Sequence, residues 1–302
     1  MAGFDKIRRA QPLLGTFVEI EVAGAARSEM DAAVNAAFEA IADVHRLMSF
    51  HDADSDVSRL NREAWLRPTK VDPRTYEVLE AAVELHRRSN GAFDVAVAPA
   101  LQAIGLLPRS DDDCSSPAKV RSFDAIELLP DQMVRFGHSD TRIDLGGIAK
   151  GFAVDCALEA LHRFDVPAGL VNAGGDLAVF GPDPQMIHIR DPRDPGRLIC
   201  SIEVRNEALA STARRVDPFR SAETTAAAII DPDSWRSADT FDGATVRAPT
   251  CVVADALTKL VMIAGTDSSE LLEHYDASAL LISTDGNVQI TPDWHHAVHL
   301  AA

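Results

Sequence analysis

The sequence predicts an α+β fold, and three observations lead there. The chain has 302 residues, 46% of them hydrophobic, enough to bury a large core. Segments with strand patterning cluster together, and helical segments fall unevenly among them instead of alternating as a βαβ array would. No internal repeat and no proline- or glycine-rich linker divides the chain, so residues 1–302 read as a single domain.

Taken in order, Leu13 to Val22 alternates apolar and polar residues with β-branched enrichment, the pattern of a strand. In residues 28–48, Met30, Val34, Phe38, Ile41, Val44 and Met48 recur at helical spacing. Asp54 or Ser55 caps a short helix. Asp72 followed by Pro73 opens a helix that runs to about Arg88, and Asn90-Gly91 ends it. Residues 108–117 are polar and loop-like. Strands follow near 125–129 and 133–136, then a helix at 148–163, then strands near 168–173, 176–180, 186–190 and 199–205. Residues 213–249 show little periodicity apart from an apolar knot, Ala226 to Ile230. A helix over 253–264 and strands near 278–283 and 287–290 complete the fold.

Charge narrows the function. A net charge of -17 repels a nucleic-acid backbone, so no nucleic-acid partner is expected. An anionic small molecule needs a local cation, a metal or a helix N-terminus to offset that field. The first residues lack a signal h-region, Glu19 interrupting the one candidate, and no segment reaches the length of a membrane span. Cys114, Cys156, Cys200 and Cys251 are scattered with no CxxC pair, which predicts structural thiols in a reducing, cytoplasmic setting.

Four segments carry candidate chemistry. In DLGGIAKGFAVDCALEAL (Asp144–Leu161) a strand is expected to end at Ile143-Asp144, followed by a glycine turn and a helix. Gly146 and Gly147 would offer backbone N–H groups to a phosphate at the helix N-terminus, and Lys150 adds a charge. An ordinary strand-to-helix turn explains the glycines equally well, and the pattern is neither GxGxxG nor a Walker A. In GLVNAGGDLAVFG (Gly169–Gly181), Asp176 could accept from a substrate hydroxyl or a metal-bound water, or simply belong to a self-satisfied β-turn. In SNGAFDVAVAPAL (Ser89–Leu101), Phe93 is read as an exposed aromatic beside Asp94, suited to a base or an isoalloxazine edge. A helix C-cap with a core phenylalanine is the alternative. In PTCVVADALTKLVMIAG (Pro249–Gly265) an almost wholly apolar, hence buried, helix carries Asp255, Thr258 and Lys259. A buried carboxylate must be paired, hydrogen-bonded or bound to metal, and Asp255 and Lys259 can meet on one face as an internal ion pair. His295 and His299 have helical metal-ligand spacing but no third ligand nearby.

The order and spacing of LLGTFVEI, MSFHDADSDVSRLN, SNGAFDVAVAPAL, DLGGIAKGFAVD, GLVNAGGDL and TCVVADAL resembles the FAD:protein FMN transferase (ApbE-type) family, from about residue 12 to residue 265. The resemblance implies an ApbE-like fold of mixed sheets with packed helices, and FAD lying across these segments with Mg2+ at its pyrophosphate. FMN would pass to a Thr or Ser hydroxyl of a flavin-accepting carrier protein, and AMP would leave. Carried over by position, flavin and adenine contacts fall on Leu14, His51, Ala92, Phe93, Asp94, Gly146 and Phe152, with Gly147 beside them. The Ala149 carbonyl and the Asp255 carboxylate would hold the metal, and Asp255, Lys150 and Asp176 would serve the chemistry. The chain departs from the family's pattern at Leu14 for Met, at His51 for the usual Tyr, at Ala228 for His and at Lys259 for Thr. Those departures keep two alternatives open: a FAD-binding protein without transfer, and a hydrolase releasing FMN and AMP.

Overall fold

Alternation at the N-terminus builds two strands, not one. The computed structural model describes residues 6–109, 125–214 and 229–300. In it Leu14 and Gly15 both take positive φ, 55° and 71°. That pair turns β1 (Lys6–Leu13) back onto β2 (Thr16–Ala23) in a tight hairpin, with Leu13 opposite Thr16. The single strand expected over Leu13 to Val22 is corrected accordingly.

Apolar spacing sets the first helix, and side-chain caps start the next two. α1 (Arg27–Met48) buries Met30, Val34, Phe38, Ile41 and Val44 along one stripe. Ser55 caps α2 (Asp56–Glu63) by accepting the Ser58 N–H at 3.0 Å. Asp72 caps α3 (Pro73–Arg88) by accepting the Arg74 N–H at 3.0 Å. Asn90 and Gly91, at φ 54° and 90°, end it, and α4 (Ala98–Ala103) follows. A small sheet, β3 (Thr69–Lys70), β4 (Ile126–Leu129) and β5 (Met133–Phe136), sits beside these helices in the order β3-β5-β4.

The second part of the chain supplies α5 (Ala149–His162), β6 (Ala168–Ala173), β7 (Asp176–Phe180), β8 (Gln185–Asp191), β9 (Asp194–Val204) and β10 (Ala208–Ala213). After β11 (Ile230–Asp231) and β12 (Arg236–Ser237) come β13 (Phe241–Ala248), α6 (Cys251–Ala264), α7 (Ser269–His274), β14 (Ser278–Ser283), β15 (Val288–Ile290) and β16 (Val298–Leu300). Among the described residues the main sheet has eight antiparallel strands in the order β1-β2-β6-β7-β10-β13-β14-β15. Helices α1, α5 and α6 pack on one face. The other face is covered by a second sheet, β16-β9-β8, and by the fully buried Trp294. Strand periodicity divides the two cores: in β7, Ala178 and Phe180 join the helical side, while Leu177 and Val179 join the opposite side.

Three further expectations change. No strand precedes the glycine turn. Residues 141–145 join no ladder; the Asp144 N–H donates to the Val95 carbonyl at 2.8 Å, and Asn61 on α2 pairs with Ile143. Its side chain accepts the Ile143 N–H at 2.8 Å and donates to the Ile143 carbonyl at 2.9 Å. Residues 213–249, read as aperiodic, contain β13, in which seven of eight residues are buried because both faces are covered. His295 lies on a 3-10 helix (Pro292–Ala297) and His299 on β16, so they share no helical face. Among the described residues no three His, Cys, Asp or Glu side chains form a metal-binding group, and no helix is long and apolar enough to cross a membrane. Residues 110–117, with Cys114, and Ala226 to Ala228 lie outside the described residues.

Candidate functional site

Two buried helices meet closely enough to share a carboxylate. Gly151, in the first turn of α5, lies against the start of α6. A Cβ there would sit 2.7 Å from Asp255 Cβ and closer still to the Cys251 carbonyl. Because no side chain intervenes, the Gly151 N–H donates to Asp255 Oδ2 at 3.0 Å. The reverse link also exists: Asp155 of α5 accepts the Cys251 and Val252 N–H groups, both at 2.8 Å, and so caps α6.

Asp255 is fully buried at this junction. Lys259, one turn along α6, donates to Asp255 Oδ1 and, at 3.0 Å, to the Asp255 carbonyl. Lys150 lies 3.8 Å from Asp255 Oδ1 and donates to Asp176. Two carboxylates and two ammoniums thus form one charge-balanced cluster. Burial works against ionising Asp255, but Lys150, Lys259 and the Gly151 N–H outweigh it and hold its pKa below the ordinary value. Burial, reinforced by the charge of Asp255, pushes Asp176 up. Lys150 is held above the ordinary lysine value because Asp255 and Asp176 outweigh its own desolvation.

The lysines face a cleft of about 270 Å³. Leu101, Leu106, Leu107 and Ile230 give it an apolar wall, Ala92 to Asp94 a second wall, and Asp144, Gly146, Gly147, Lys150 and Lys259 a polar end. The volume falls just below the range of about 300–1,000 Å³ usual for small-molecule pockets.

Of the residues singled out from sequence, Ala92, Phe93, Asp94, Gly146, Gly147 and Lys150 meet at this cleft. Asp176 and Asp255 stand behind the lysines, at 1% and 0% exposure, and do not line it. Phe93 is not an exposed aromatic: it is 4% exposed, its backbone fixed by Ser89 Oγ. Nor does Gly146 present a free N–H, which instead donates to Asp144 Oδ2 at 3.1 Å. Leu14 sits in the β1–β2 turn, where its N–H meets His45 Nδ1 at 3.4 Å. His51 is exposed and edge-on to Phe50; burial raises the Asp144 carboxyl above its ordinary value, against the Gly146 N–H and the nearby His51. Phe152 and Ala149 are buried in the helical core. Gly151, Asp155 and Asn61 were not singled out. A glycine inside a helical pattern lowers helix propensity without naming a partner, and the other two gave no signal in sequence.

Mg2+ requires oxygen ligands at about 2.0–2.1 Å in near-octahedral array. Here Asp255 Oδ1 meets Lys259, Asp255 Oδ2 meets Gly151, and Asp176 meets Lys150. A dication about 4 Å from one such ammonium is repelled by about 8 kcal/mol at an effective dielectric near 20. The donor set therefore fits ammonium groups and does not fit Mg2+ beside them.

Comparison with known proteins places this architecture. The ApbE family model matches residues 14–281. The FAD:protein FMN transferase of Treponema pallidum is 26% identical, the match covering 93% of this chain and 85% of that protein. That of Haemophilus influenzae is 26% identical over 82% of this chain and 78% of its own length. Among solved structures, the ApbE protein of Thermotoga maritima matches with a TM-score of 0.84 at 25% identity, covering 97% of this chain and 99% of its own. The flavin transferase ApbE of Vibrio cholerae matches with a TM-score of 0.82 at 23% identity over the same shares.

Proposed function

The chain belongs to the ApbE family, and on that footing we propose that it is a FAD:protein FMN transferase, moving FMN from FAD to a Thr or Ser hydroxyl of an acceptor protein. The observation that carries this reading is the cleft, whose lining combines apolar side chains suited to a flat ring system with two lysines suited to an anionic pyrophosphate. The acceptor hydroxyl oxygen forms a bond to the FMN phosphorus, the anhydride bond to the AMP half breaks, and AMP leaves with the bridging oxygen. Phosphoryl transfer is driven mainly by positioning and by neutralising charge on the phosphoryl oxygens. Lys150 and Lys259 provide that charge, and Asp176 and Asp255 act as positioning residues that hold the two ammoniums in place. The carboxylates lining the cleft are Asp94 and Asp144, and the hydroxyl proton passes to one of them. No step is assigned to Mg2+, because both Asp255 oxygens that would hold it already face an ammonium or an N–H group.

Incubation of the purified protein with FAD and Thr-containing acceptor proteins tests the proposal, with AMP and denaturation-resistant protein-bound flavin measured separately. Equal amounts of both support transfer. AMP accompanied only by free FMN identifies a hydrolase, and bound FAD without AMP identifies a binding protein; either overturns the proposal.

A further inference from the structure

Lys259 occupies a position with consequences for how the cleft meets an anion. Its stem runs over Gly147, where a Cβ would lie 3.7 Å from Lys259 Cε and Cγ, and its side chain is only 17% exposed. An ammonium has three donors. Two are directed at Asp255 Oδ1 and the Asp255 carbonyl, and the residue lines the polar end of the cleft beside Lys150.

We propose that Lys259 is a built-in cation at the phosphate end of the cleft, so that this chain binds the pyrophosphate of FAD through ammonium groups and without a divalent ion. The inference rests on the FAD reading above. Three features of the cluster support it. Both Asp255 oxygens are engaged, by Lys259 and by the Gly151 N–H. Lys150 approaches the same Oδ1 at 3.8 Å, so any added dication would face two ammoniums at once. Asp176, the cluster's other carboxylate, is itself engaged by Lys150. Lysine binds phosphate as a point charge and needs no bidentate geometry, which suits a side chain anchored through its own helix.

FAD titration, followed by quenching of flavin fluorescence, is run in EDTA and again in excess Mg2+. For the wild-type chain the two dissociation constants are expected to agree within about twofold. Lys259→Thr is expected to bind FAD about tenfold more weakly in EDTA and to recover with Mg2+. Lys259→Arg, which keeps the charge, is expected to retain metal-free binding, separating loss of charge from loss of packing. Wild-type binding that collapses in EDTA and returns with Mg2+ overturns this inference and leaves the FAD reading standing. Binding in neither buffer overturns both.

Discussion

Gly151 shows how one missing side chain sets the chemistry around it. Alanine normally favours a helix over glycine by about 1 kcal/mol, but here its methyl group would press on the Cys251 carbonyl and Asp255 Cβ. Overpacking of this kind costs about 1–3 kcal/mol. Gly151→Ala is therefore expected to lower the urea-unfolding free energy despite its helix propensity. Gly147→Ala, whose Cβ would only touch the Lys259 stem at 3.7 Å, should leave it nearly unchanged. Asp255→Asn removes the charge that both lysines share, and breaking a buried pair costs about 3–5 kcal/mol; the same urea titration reads it. Much of this was legible residue by residue: a carboxylate and a lysine four apart on an apolar helix predict their pairing. The Gly151 contact was not, because its partners lie about a hundred positions away and no local pattern links them.

Elements were legible in proportion to how one-sided their burial is. α1 and α3 each bury one stripe, so spacing identified both closely, with the Asp72-Pro73 start marking α3 as well. β13 buries both faces and loses the alternation that marks a strand, and residues 141–145 join no ladder, pairing with a side chain of α2 and the Val95 carbonyl. The link between α5 and α6 belongs to this scale as well. Asp155 supplies the acceptors for the first N–H groups of α6, and burial pushes its carboxyl up to about 6 against those two hydrogen bonds. Between its ordinary value of 3.8 and about 6, the folded chain keeps a proton that the unfolded chain has released. Its contribution to stability is full below the lower value and is lost as pH rises through the upper one. Stability is thus expected to fall across that window by up to about 1.4 kcal/mol per pH unit from this group, measured by denaturant melts at several pH values. Asp155→Asn should flatten the slope, and Asp155→Ala should cost about 1–2 kcal/mol as a lost cap.

At the scale of the molecule, a sheet covered on both faces carries α5 and α6, and their shared carboxylate stands behind the lysines of the cleft. A chain with net charge -17 can hold an anion only where it concentrates cations, and Lys150 and Lys259 are that concentration. The family was legible from the order of short segments spread over most of the chain. The apolar wall was not, since the stretch holding Leu101, Leu106 and Leu107 meets Ile230 only through the fold. The central claim is transfer of FMN to protein, and the most direct measurement is the ratio of protein-bound flavin to released AMP when the purified chain turns over FAD with an acceptor protein. Transfer predicts a ratio near one, falling to background for both products when Lys150 is replaced by Met. AMP released with no flavin retained on denatured protein would contradict it.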